Sequence, residues 1–117
     1  MTAHSLSSKQ LARRVENILG DLKGQSISCI NVQKLTTITD YMIIATGTSR
    51  IHTKSLADEV VEKVKEQGLQ VTGVEGLPAA EWVLVDLGAV VVHIMLDRIR
   101  AMYDLEELWS LKPASNA

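Results

Sequence analysis

Two runs, Glu81 to Asp86 and Ala89 to Met95, constrain this chain more than any other feature. Both are rich in β-branched and aliphatic residues, and only Leu87-Gly88 separates them, which suits a tight antiparallel hairpin. With Leu87 and Gly88 as the loop, Asp86 stands opposite Ala89, Leu84 opposite Val91 and Trp82 opposite His93. The strand period of two then sorts the side chains. One face carries Val83, Val85, Val90, Val92 and Ile94, a pure core face. The other carries Trp82, Leu84, Asp86, Ala89, Val91, His93 and Met95, and a face mixing Trp, His and Asp with aliphatics is not an ordinary helix-packing surface.

The rest of the chain supplies partners for such a hairpin. Ser7-Ser8-Lys9-Gln10 can cap a helix in which Leu11, Val15, Ile18, Leu19 and Leu22 recur at helical spacing until Gly24 stops it. Ser26 to Val32 and Tyr41 to Ala45 read as strands, the second covered on both faces. Gly47-Thr48-Ser49 leads into a helix with the stripe Leu56, Val60 and Val64, flanked by Ala57 and Val61 and ended by Gly68. Glu59 and Lys63 have the spacing of a helical ion pair. Gln70 to Val74 is a short strand, and Glu75-Gly76-Leu77-Pro78 a loop. Asp97 and Asp104 can each cap a short helix, the second with Glu107 at capping-box spacing. The order predicts one α/β domain over residues 1–117 with a mixed five-stranded sheet flanked by helices, and residues 112–117 as a frayed tail.

Composition narrows the function. A chain of 117 residues can bury a real core. With one cysteine, Cys29, no internal disulfide can form, and a buried structural thiol is the expectation. The start of the chain lacks a secretory pattern, and no apolar run approaches the roughly 20 residues of a membrane span, so a cytoplasmic location is expected. A net charge of -2 with 12 scattered Lys and Arg disfavours direct sequence-specific nucleic-acid binding. Four aromatics, none of them Phe, poorly supply a base-stacking platform.

Chemistry is sparse. His4, His52, His93 and Cys29 share no zinc-site spacing, and no cofactor or metal is expected. Cys29, between Ser28 and Ile30, has no neighbouring cation to activate it. Gly47-Thr48-Ser49 could offer amides to a phosphate at a helix start, but the Gly-Lys-Ser or Gly-Lys-Thr of a P-loop is missing; a plain cap at Ser49 is the simpler reading. No carboxylate pair suits a magnesium-dependent nucleotidyl transfer. Asp86 can serve simply to shape the hairpin turn.

Trp82, His93, Met95, Arg100 and Tyr103 remain, and they allow two readings. They can be packing residues, with Arg100 paired to a carboxylate inside the fold. Alternatively, with Leu84 and Asp86, they form a contact patch, since Trp, Tyr, Met and Arg are the types enriched at interfaces. An apolar face of this kind also favours self-association, and a homodimer using it would compete with another partner.

Several blocks, in order, resemble the ribosomal silencing factor S family, also called iojap-like proteins. They are Asp21-Leu22-Lys23-Gly24, Thr39-Asp40-Tyr41-Met42-Ile43, Thr46-Gly47-Thr48-Ser49, Gly73-Val74-Glu75-Gly76, Trp82 to Gly88, Val92-His93-Ile94-Met95 and Arg100 to Ser110. The resemblance implies a nucleotidyltransferase-like α/β fold without the metal carboxylates and a non-enzymatic repressor of translation. Its implied partner is the large ribosomal subunit, bound through ribosomal protein L fourteen where the small subunit would join. Trp82 carries over from the family's strand motif; Leu84, Asp86, His93, Met95, Arg100 and Tyr103 are placed around it by the hairpin. A residual nucleotide-binding or nucleotidyltransferase enzyme using Gly47 to Ser49 and a large-subunit assembly scaffold are the rival readings.

Overall fold

A computed structural model describes residues 6–110; the expected tail at 112–117 lies outside the described residues. The elements run α1 (Ser8–Asp21), β1 (Gln25–Asn31), β2 (Tyr41–Gly47), α2 (Arg50–Glu66), β3 (Gly73–Glu75), β4 (Trp82–Asp86), β5 (Val90–Leu96), α3 (Asp97–Tyr103) and α4 (Leu105–Ser110). The five strands form one mixed sheet in the order β1-β2-β5-β4-β3, in which only β2 and β5 pair in parallel. The expected mixed five-stranded α/β sheet is therefore observed, although its third strand in sequence is shorter and later than Gln70 to Val74.

Helix α1 begins with a complete capping box: the Ser7 hydroxyl accepts from the Gln10 amide and the Gln10 side chain from the Ser7 amide. Its stop differs from expectation. Lys23, not Gly24, takes the left-handed conformation, with φ 64°. Gly24 instead allows close approach, its amide donating to the Leu19 carbonyl at 2.8 Å. Helix α2 behaves as read: Ser49 caps the His52 amide, Gly68 ends the helix at φ +79°, and Lys63 lies 3.8 Å from Glu59.

Helices α1 and α2 cover one face of the sheet. Val15, Leu19, Leu56, Ala57 and Val60 have no exposed surface, and they meet Ile43, Ala45, Val83, Val85, Val90, Val92 and Ile94, which also have none. The predicted core face of the hairpin is thus sealed. On the opposite face, Val32, Met42, Ile44, Met95 and Ile99 form a second cluster, against which Ile30, Trp82, Leu96, Leu105 and Trp109 pack. Helices α3 and α4 contribute to that second layer.

Two expectations fail at the margins. Cys29 is exposed, because β1 is an edge strand with a single neighbour and its side chains are covered on one flank only. Asp97 does not cap α3: Leu96 occupies the cap position, no side-chain cap bond is made, and Asp97 lies in the first turn. Asp104 does cap α4, accepting from the Glu107 amide at 3.3 Å.

Candidate functional site

The hairpin register is shifted by two residues from the expected one: Asp86 pairs with Val91, Leu84 with His93 and Trp82 with Met95. The cause is Leu87. This apolar residue is drawn inward as a closing position, its amide donating to the Val90 carbonyl at 2.9 Å, so the loop is Gly88-Ala89. Gly88 has φ +85°, which primed hairpin turns require and glycine adopts without strain. A slip of two conserves the faces, so the side-chain sorting stands although the partners change.

Trp82 is half-buried and held from two sides. Its indole Nε1–H donates to His93 Nδ1 at 3.0 Å, a diagonal contact across β4 and β5. The Tyr103 ring lies 5.0 Å from it, tilted by 48°, in the range where aromatic pairs attract. Tyr103 itself is 55% exposed. Beside Trp82, Leu84 is half-buried, and with Glu75 and Gly76 the two line a shallow hollow of about 280 Å³. Gly76 has φ +93°, and a Cβ there would collide with the Trp82 carbonyl oxygen, so the β3–β4 connection closes on Trp82 only through a glycine.

The other expected site residues are placed differently. Met95 has no exposed surface and belongs to the second cluster. His93 is 7% exposed, and burial pushes its pKa from 6.5 down to about 4. Asp86 shapes the turn, its carboxylate accepting from the Gly88 amide at 2.8 Å. Arg100 takes the internal role that its sequence left open. It forms a two-pronged pair with Glu106, at 2.9 and 2.8 Å, and donates to Thr46 Oγ1 at 2.8 Å. Ser28 Oγ donates to the same carboxylate at 2.6 Å, so one cluster ties α3 and α4 to β1 and β2. The Arg100 guanidinium, helped by Ser28, holds the Glu106 carboxyl below its ordinary range against the opposing effect of burial.

Sequence reasoning left Glu75 and Gly76 out of the site. The glycine beside a short strand was their only signal, and nothing local tied it to Trp82. Exposed Met102 and Leu108 were also left out, since nothing local distinguishes them from Ile99 and Leu105, which pack on the second cluster.

The Gly47-Thr48-Ser49 segment is closed on itself. The Thr48 amide donates to His52 Nδ1 at 2.9 Å, the His52 amide to Ser49 Oγ at 3.0 Å, and His52 Nε2 meets the Leu22 carbonyl at 2.8 Å. Amides that a phosphate would use at Thr48 and His52 are already engaged. At Cys29, burial first and then the Glu16 carboxylate push the thiol's pKa up, the opposite of what a nucleophile requires. Among the described residues no group of three or more His, Cys, Asp or Glu could hold a metal ion.

The profile of a family described as "Ribosomal silencing factor during starvation" matches residues 5–117. This chain belongs to that family. The ribosomal silencing factor of Chromobacterium violaceum is 44% identical over 101 residues, covering 86% of this chain and 83% of that protein. A crystal structure of a Chromobacterium violaceum protein superposes with a TM-score of 0.88 at 41% identity, covering 94% of this chain and 92% of the other. A mouse protein named for mitochondrial assembly of the ribosomal large subunit is 32% identical over 99 residues, 82% of this chain but 43% of the mouse protein. The resemblance drawn from the residue blocks is therefore a family membership, and the silencing-factor sheet carries its Trp82 hollow on the face that α1 and α2 leave free. Among the described residues no helix is long and apolar enough to cross a membrane.

Proposed function

We propose that this chain represses translation by docking on the large ribosomal subunit through ribosomal protein L fourteen, where its volume keeps the small subunit from joining. Cells would use it when nutrients fall. The observation that carries this reading is the Trp82 face: an indole oriented by His93, flanked by the tilted ring of an exposed Tyr103 and bordered by the Leu84 and Glu75 hollow. Trp and Tyr in partly desolvated settings are the side chains that dominate binding energy at protein interfaces. The contact set is Trp82, Leu84 and Tyr103. His93 and Met95 lie buried beside Trp82, whereas Asp86 and Arg100 are engaged elsewhere within the fold, at the hairpin turn and with Thr46 and Glu106.

Such a mechanism needs no bond made or broken, because occupancy of the joining surface excludes the small subunit in proportion to affinity. Co-sedimentation with separated large subunits tests it. Trp82→Ala, at matched folding, is expected to weaken binding by about thirtyfold, as loss of a hot-spot aromatic does. Unchanged binding would show that this face is not the docking surface. The name of the mouse relative favours a second reading, a role in assembling the large subunit. A subunit-joining assay with mature large subunits separates the two: inhibition supports repression, and binding without inhibition supports assembly.

A self-associated form that hides Trp82 would compete with docking. Comparing a monomer with a crosslinked dimer decides this, with weaker subunit binding expected from the dimer.

A further inference from the structure

We infer that His93 is a positioning residue for docking: its Nδ1 takes the Trp82 indole N–H and fixes the ring in the attitude that a partner meets. This rests on the reading of the Trp82 face as the docking surface, and it assigns His93 a part that contact alone would not. A residue only 7% exposed cannot be a principal contact. It can act through the ring it holds.

The geometry supports this in three ways. First, His93 is itself fixed, pairing with Ile44 of β2 on one side and Leu84 of β4 on the other in the middle of the sheet. Second, the indole N–H is a donor only, so one acceptor at 3.0 Å selects among the orientations a half-buried Trp could adopt. The two rings lie 5.9 Å apart at 51°, a tilt that leaves the outer indole surface to Tyr103. Third, the acceptor role requires an unprotonated Nδ1 with the proton on Nε2. Burial favours that neutral ring, consistent with its pKa of about 4. An aromatic anchor ordered before the encounter loses less freedom on binding, and affinity gains accordingly.

Four proteins are compared with wild type: Trp82→Ala, His93→Leu, His93→Gln and the double variant Trp82→Ala with His93→Leu. Leucine fills the slot with an apolar side chain that cannot accept a hydrogen bond, whereas glutamine keeps an acceptor. The chain has two tryptophans, so the Trp82 and Trp109 indole N–H resonances are separately observable by NMR. His93→Leu is expected to move the Trp82 resonance and weaken large-subunit binding about tenfold, the equivalent of one well-made hydrogen bond. His93→Gln should recover binding to within about threefold of wild type. In a Trp82→Ala background, His93→Leu should have no further effect, because the anchor it orients is gone.

If His93→Leu keeps wild-type affinity while Trp82→Ala loses it, the positioning role is overturned and the docking reading survives. If Trp82→Ala binds as wild type, the docking reading fails and the positioning role falls with it. Nitrogen NMR of the wild-type imidazole gives a variant-independent check, and a protonated Nδ1 near neutral pH would overturn the proposal.

Discussion

The two faces of the sheet are built on opposite principles. Beneath α1 and α2 the centre of the sheet presents Ile43, Ala45, Val83, Val85, Val90, Val92 and Ile94, all aliphatic and without exposed surface, and sequence periodicity alone identifies the hairpin's share of them. The other face mixes Trp82, His93, Thr46 and Met95, and its cover comes from two short helices tied by an ion pair and hydroxyls. A saturated face can only stabilise. An incompletely saturated face, with its indole half open, has surface left to give to a partner.

Truncation of one side chain on each face tests whether the two differ in kind. Ile43→Ala removes a side chain with no exposure from the sealed face, and it should cost about 2–5 kcal/mol of stability in a denaturant titration. The same change in kind at half-buried Leu84 should cost less than about 1 kcal/mol, yet it should weaken large-subunit binding where a destabilised but folded Ile43→Ala does not. Equal stability losses at the two positions would mean that the faces are not distinct.

Acid should act on the open face first. His93 has its pKa lowered to about 4 from 6.5, so folding favours its neutral form. Its contribution is complete above pH 6.5 and disappears as pH falls through the folded value. The wild type should therefore lose on the order of 3 kcal/mol between pH 6.5 and pH 4 relative to His93→Leu. Glu81, held low by Arg50 and Arg98, and Glu106, held low by Arg100, are present in both proteins, so their own losses in acid cancel in this comparison. Parallel stability profiles for the two proteins would show that His93 is not held neutral by the fold.

The difference between the faces also explains what was legible in the sequence. Helix caps at Ser7 and Ser49, the α2 stripe and the valines of the hairpin obey local rules, and the structure follows them. Sorting of Trp82 and His93 to one face survived even a wrong register, because a slip of two preserves side-chain parity. What local pattern could not supply was contact between distant segments. The reach of Ser28 to Glu106, the approach of Gly76 to the Trp82 carbonyl and the edge position of Cys29 all depend on strand order, to which periodicity is blind.

A smaller effect is expected at the clip over the open face. Arg100→Met keeps the aliphatic stem but removes the guanidinium from Thr46 and leaves Glu106 with Ser28 alone of the cluster's donors. The Arg100 side chain is 12% exposed while that of Glu106 is 37% exposed, so the carboxylate can regain water. The loss should be about 1–2 kcal/mol. It should show as faster amide hydrogen exchange in α4, with α1 and α2 unchanged. Faster exchange throughout would mean that α3 and α4 are not a separately held layer.

The smallest effect belongs to the sealed face, at its border. Cys29 pairs with Ile43, so it shares a face with the most buried residues of the sheet, yet β1 has no outer neighbour and the thiol meets solvent. Cys29→Ser should therefore change stability by less than about 0.5 kcal/mol, the range for surface substitutions. The native thiol should react with a disulfide reagent without unfolding, but slowly near neutral pH, because partial desolvation by its neighbours and then Glu16 raise its pKa and keep the thiolate scarce. A rate that rises steeply with pH would agree with that cause. Reaction only in denaturant would show instead that saturation of this face extends to the strand edge, and that sequence had read Cys29 correctly as buried.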